Sequence, residues 1–176
     1  RLRKTSHPDS KLIRSKDNKM LILKAERDAL LKPLQAVTGI VERRHTLPIL
    51  SNVLLENTRG QTNFLATDLE IQINTVGPQS EAEDFRITTN AKKLQDILRA
   101  LPEGSLVALD WAQNRLTLKA GKSRFNLQTL PAEDFPLMSV GEDVSAAFSL
   151  PQEAFKNMLS QVQYSMAVQD IRYYLN

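Results

Sequence analysis

The sequence has no cysteine and two histidines, His7 and His45. Without cysteine there is no disulfide framework, no iron–sulfur cluster and no thiol nucleophile, and the chain suits a reducing cytoplasm. His7 lies in a polar N-terminal stretch and His45 in a loop-like segment. Neither has a second His or Cys nearby, so a metal centre or a Ser–His pair has little to build on. The six glycines stand singly, at 39, 60, 77, 104, 121 and 141, and form no phosphate-cradling loop. Apolar runs as short as "TLPIL" cannot span a bilayer, and no apolar stretch of the signal-peptide kind follows the basic N-terminus. Acidic groups occur at Glu81, Glu83 and Asp84, at Glu133 and Asp134, and at Glu142 and Asp143. All sit in polar, loop-like stretches, whereas acid–base or two-metal chemistry needs carboxylates converging in a pocket. Asp68 and Glu70 could share one side of a hairpin, but a turn-forming Asp68 is the simpler account. No enzyme, no metal and no cofactor is expected.

What is present is an ordinary globular composition, 41% hydrophobic and 24% charged over 176 residues, enough for one domain and part of another. The sequence pI of about 9.2 suggests a polyanionic partner, but the charge is unevenly placed. Residues 1–19 hold seven of the 23 basic residues and two of the 20 acidic ones; the rest of the chain keeps 16 and 18, a net −2. The stretch "RLRKTSHPDSKLIRSKDNK" is polar, aperiodic and without aromatics. It reads as a disordered basic extension ahead of a natural start at Met20.

Beyond it, one pattern recurs. "LILKA" is a short strand, and "ERDALLKPLQAVTGIV" has helical spacing, with Leu30, Leu34, Val37 and Val41 on one face. Pro33 predicts that this helix starts late or bends. "RRHTLPIL" reads as a loop. The strands "SNVLLEN", "TNFLATD" and "EIQINTV" follow, with Arg59-Gly60 as a turn and Gly77-Pro78 as the end of the third. The pattern then restarts. "FRITT" is a strand, Asn90 caps the helix "AKKLQDILRAL" with its stripe Leu94, Ile97, Leu98 and Leu101, and "PEG" stops it. "SLVALDW", "RLTLKA" and "SRFNLQT" are the next three strands, with Gly121 in the turn before the last. A third start follows: "AAFSL" as a strand, Ser149 as a cap, Pro151 in the first helical turn, and Phe155, Leu159, Val162 and Met166 as a buried face. "DIRYYLN" alternates as a strand with one inner face.

A strand–helix–strand–strand–strand unit thus occurs twice and opens a third time, with helices beginning near 26, 90 and 151. A fixed period of this size predicts a repeat architecture: helices on one face of antiparallel sheets, an α+β fold. We expect 20–140 to be the first domain and 141–176 the start of a second whose other strands lie beyond Asn176. The outer helix faces are mixed: Lys92, Asp96 and Arg99 lie opposite the second helix's stripe. Such a face is an ordinary solvated surface, or one that holds a polyanion loosely through a few phosphate contacts without sequence preference.

Five stretches, "LLKPLQAVTGIVERRHTLPIL", "ATDLEIQI", "KKLQDILRALPEG", "GKSRFNLQTLPAEDFP" and "SMAVQDIRYYLN", closely resemble the bacterial DNA polymerase III β subunit family, the sliding clamps. The similarity runs from about Met20 to Asn176. It implies the DNA-clamp fold in a head-to-tail homodimeric ring of six similar domains, with helices lining the pore and sheets at the rim. It also implies a non-catalytic processivity factor that encircles duplex DNA and meets the polymerase III catalytic subunit and the clamp loader, in the cytoplasm and with no membrane. By the same resemblance, Arg44 is a pore arginine and Lys92 stands where the family often has an arginine, keeping charge but not bidentate geometry. Gln169 is the polar loop residue that reaches DNA, and Tyr173 and Tyr174 match a tyrosine pair placed to stack on single-stranded bases. Lys93, Lys122, Arg124 and Phe125 resemble the first-domain side of the dimer interface. There a Phe would fill an apolar pocket and the cations would meet the partner's acids. Arg172, Tyr174 and Leu175 resemble the first contributors to a groove for partner peptides. The 19-residue extension has no counterpart in that family. An alternative is a non-enzymatic nucleic-acid binding module that works through this basic extension.

Overall fold

Alternating and helically spaced apolar residues settle where residues 20–41 and 47–138 bury their surface. The computed structural model describes residues 20–41, 47–138 and 148–167, and the chain divides into two units, Arg1–Met138 and Ser139–Asn176. In the first unit the order is β1 (Met20–Glu26), α1 (Arg27–Thr38), a 3-10 turn (Pro48–Ser51), β2 (Asn52–Thr58), β3 (Gln61–Thr67) and β4 (Gln72–Gln79), then β5 (Phe85–Asn90), α2 (Ala91–Ala100), β6 (Leu106–Ala112), β7 (Arg115–Ala120) and β8 (Ser123–Leu130). The predicted unit is therefore present twice, and the fold is α+β.

The eight strands form one antiparallel sheet in the order β1-β6-β7-β8-β5-β2-β3-β4. The two repeats are interlocked. The first strand of each repeat pairs with the second strand of the other: β1 with β6, and β5 with β2. Neither repeat completes its own sheet, so the pair is the folding unit. Tight turns fix the registers. Thr58 pairs with Gln61 across Arg59 (φ 51°) and Gly60 (φ 83°), and Ala112 pairs with Arg115 across Gln113 (φ 45°) and Asn114 (φ 61°). Two consecutive left-handed residues match the twist of a hairpin. Asp68 is turn-forming as expected: its carboxylate accepts from the backbone N–H groups of Glu70 and Ile71 at 2.9 and 2.7 Å.

Both helices lie on one face of the sheet and share its main core, which contains Leu30, Leu34, Val37, Leu94, Leu98 and Phe64. On the opposite face, Ala132 and Phe135 of a short 3-10 turn pack against Leu54 and Leu65. The helices of the repeats match in burial, position for position, at a spacing of 64. Positions 28–37 and 92–101 run through the same succession of half-buried, exposed and buried residues without a mismatch.

Several expectations are corrected. Helix α1 starts at Arg27 and continues through Pro33, whose carbonyl accepts from the Thr75 hydroxyl at 3.0 Å. Strand β4 does not end at Gly77-Pro78 but runs to Gln79. It lies at the end of the sheet order, where a proline needs no ladder partner. A side chain at Gly77 would meet the Phe64 ring at 2.4 Å, so this glycine serves packing rather than a turn. Part of "RRHTLPIL" is the 3-10 turn from Pro48.

In the second unit, residues 148–150 are not in a strand. Helix α3 (Gln152–Gln163) has Pro151 as its N-cap and no side-chain cap bond, so Ser149 does not cap it. Phe155, Leu159 and Val162 are on the helix and Met166 lies beyond its end, and none is buried: each is at least half exposed. The three helix starts, at Arg27, Ala91 and Gln152, keep the predicted spacing. The strand expected at "DIRYYLN" lies outside the described residues.

Candidate nucleic-acid interface

The helix face begins with how α1 and α2 are held together. Their amphipathic stripes supply the bulk of the stabilisation: each fully buried leucine contributes about 1.5–3 kcal/mol. Two polar links then set their alignment. Arg27 opens α1 and turns its guanidinium back onto the end of α2, donating to the Leu98 carbonyl at 2.9 Å and the Arg99 carbonyl at 3.4 Å. These are carbonyls of the last turn, where a helix runs out of its own donors; the Leu98 carbonyl also accepts from the C-cap Leu101 N–H at 3.4 Å. At the other end, Gln95 donates its amide to the Thr38 hydroxyl at 2.8 Å, with both residues buried. Asn90 caps α2 through the Lys93 N–H at 2.9 Å, as its position predicted.

The outward side of this pair carries Lys32 and Gln35 on α1 and Lys93, Asp96 and Arg99 on α2, with Lys92 half-buried between them. Small residues, Ala29, Ala36 and Ala100, fill the other exposed positions. This is a shallow, mixed-charge wall with primary amines and one guanidinium. It can meet phosphates, but it lacks the run of arginines that would read bases. Lys92 and Lys93 were legible as candidates; Lys32 and Arg99 were not assigned. The 64-residue correspondence between the helices is the signal that would have drawn Lys32 in.

The second candidate surface is the strand edge at β8. β8 pairs with β7 along its length, from Ser123 to Gln128, but with β5 only at Thr129 and Leu130. Among the described residues, Ser123–Gln128 therefore have one side without a strand partner. Arg124 is exposed on this stretch, Phe125 is half-buried against the core, and Lys122 is exposed in the preceding turn. Lys93 joins them: with Asn90, Asn126 and Gln128 it lines a hollow of about 660 Å³ beside β8. Lys93 of α2 thus lies beside the same strand that carries Arg124 and Phe125. Arg44, Gln169, Arg172, Tyr173, Tyr174 and Leu175 lie outside the described residues. Among the described residues no group of three or more His, Cys, Asp or Glu could hold a metal ion. No helix there is long and apolar enough to cross a membrane.

An internally duplicated βαβββ domain, with its two helices on one face and an uncovered last strand, defines the class of DNA-clamp domains. Residues 21–139 match the family model of the DNA polymerase III beta subunit, N-terminal domain. The Pseudomonas aeruginosa beta sliding clamp is 46% identical over 152 residues, covering 86% of this chain and 41% of that protein; the Escherichia coli beta sliding clamp is 43% identical over the same length and shares. Among solved structures, the Pseudomonas aeruginosa DNA polymerase III subunit beta superposes with a TM-score of 0.81 at 44% identity, over 89% of this chain and 42% of that one. The Caulobacter crescentus DNA polymerase sliding clamp also gives 0.81, at 39% identity and with the same coverage. The chain belongs to the DNA polymerase III beta subunit family, the sliding clamps. It spans about two fifths (41%) of the length of the curated relatives it matches.

Proposed function

We propose that this chain is the N-terminal part of a replicative sliding clamp, a non-catalytic factor that encircles duplex DNA without sequence preference and tethers the polymerase. The observation that carries this reading is the pair of matched helices presenting a thin cationic row on one sheet face, while the chain from Ala132 to Phe135 crosses the other. Lys92, with Arg44 and Gln169, would touch phosphates from the pore side, and Tyr173 and Tyr174 would meet single-stranded bases. A topological link makes weak contacts sufficient, and weak contacts permit sliding.

The same reading divides the chain into an extension (1–19), a first clamp domain (20–140) and the opening of the next (141–176). Phe125, with Lys93, Lys122 and Arg124, would form the edge at which a second copy joins head to tail, and Arg172, Tyr174 and Leu175 would begin the groove for peptides of the polymerase catalytic subunit and the clamp loader. The cytoplasm is the compartment that goes with this role.

Neutralising the helix face tests it. Lys92→Gln with Arg99→Gln should flatten the salt dependence of random-duplex binding, each lost phosphate contact taking about 0.9 from the slope of log K against log salt. Arg86→Gln with Arg115→Gln, on the strands, should leave the slope unchanged. Equal effects of the two pairs would refute a DNA-facing helix row.

A further inference from the structure

Matched burial in α1 and α2 comes with mismatched charge. At the equivalent position to Asp28 stands Lys92, and at the equivalent of Lys32 stands Asp96; both pairs have the same exposure class within the pair. Gln35 corresponds to Arg99 and Ala29 to Lys93, so two further exposed positions gain a cation in α2 alone. The helix packing requires the same positions to be buried, but it places no demand on the sign of a solvated charge. The reversal therefore calls for an explanation outside the fold. Asp28 is already occupied, ion-paired with Arg27 at 2.6 Å. Asp96 is exposed on the outward face, one turn after Lys92 and one turn before Arg99. Those are the spacings at which helix side chains neighbour one another.

We propose that Asp96 regulates the hold of this helix on duplex DNA: its carboxylate lowers the local potential at Lys92 and Arg99, so that each phosphate contact is brief. The proposal rests on the DNA-facing reading of the helix pair. An isolated cation in a row facing a polyanion would form a persistent contact. A carboxylate one turn away repels the same phosphate and competes for the same ammonium, and both effects are screened within about 10 Å at 0.1 M salt. Asp96 thus acts through Lys92 and Arg99 and touches no base.

The test measures equilibrium binding of a random-sequence duplex to the 176-residue chain across a salt series. Asp96→Asn should tighten binding about three-fold at low salt, with the gain fading as salt rises. Asp96→Glu, which keeps the charge, should bind like the unaltered chain. Glu133→Gln makes the same charge change in the exposed turn on the opposite sheet face, and should give no gain. Equal gains from Asp96→Asn and Glu133→Gln would mean a general charge effect and overturn the proposal, as would no gain from Asp96→Asn while Lys92→Gln and Arg99→Gln still weaken binding. If those two neutralisations have no effect either, the DNA-facing reading itself fails, and a fold defect is distinguished by the thermal midpoint of each variant.

Discussion

The two repeats of the first unit share a buried apolar stripe and differ where they are capped, joined and charged. Leu30, Leu34 and Val37 in α1 stand where Leu94 and Leu98 of α2 and its C-cap Leu101 stand, and all six are buried. Yet Asn90 closes the start of α2 with a side-chain bond, whereas Glu26, at the corresponding place before α1, makes none. The ladder between β5 and β8 has no counterpart between β1 and β4, which are the two ends of the sheet order. There the Ser80 hydroxyl reaches the Ile22 carbonyl at 2.6 Å, beside a hollow of about 750 Å³. The difference teaches that the apolar pattern alone specifies the repeated fold, because helices in proteins take most of their stability from packing. Caps and seams are then free to diverge.

The strongest way to break the equivalence is at its core. Leu34→Ala and Leu98→Ala should each cost about 3 kcal/mol, and the two losses, read from urea midpoints at constant slope, should agree within about 1 kcal/mol. A loss confined to one helix would show that the repeats are not energetically matched. Next comes Gly77→Ala, where the new methyl would meet Phe64. It should destabilise by about 2 kcal/mol, and Phe64→Leu in the same chain should recover part of that loss. The caps should separate the repeats by a smaller margin. Asn90→Ala should cost about 1 kcal/mol, while Glu26→Ala should change stability by less than about 0.5 kcal/mol. Equal costs would indicate that Glu26 caps α1 in solution.

Much of this was legible from residue spacing. Each of the eight strands of the first unit was named from its apolar residues and flanking turn signals, and α2 began beside its predicted cap Asn90. What was not legible depends on contacts distant in sequence. Gly77-Pro78 looked like a strand end. Its tolerance comes from an edge position and from the Phe64 ring, neither visible in the local string. Arg27 received no role from the sequence, and its bonds run to carbonyls 71 and 72 residues away. Pro33 suggested a late helix start, yet α1 runs from Arg27 through it. At the candidate site, Lys92, Lys93, Lys122, Arg124 and Phe125 could be named from motif resemblance, while Lys32 emerged once the two helices could be laid over one another. In the second unit, Phe155, Leu159 and Val162 were placed correctly on α3 but Met166 falls past its end, and the expected burial is not seen, since packing depends on a partner that spacing does not supply.

The central claim is that a duplicated helix pair forms part of a wall around DNA, held by linkage rather than by affinity. Its most direct test is retention of a polypeptide that carries these residues together with the remainder of a full-length clamp, loaded on nicked circular duplex and then challenged by cutting the circle. Retention on the circle at a salt concentration that abolishes binding to short duplex, followed by release within the time of cleavage, is the predicted result. Equal persistence on circular and linear DNA, or loss from both at the same salt, would contradict it.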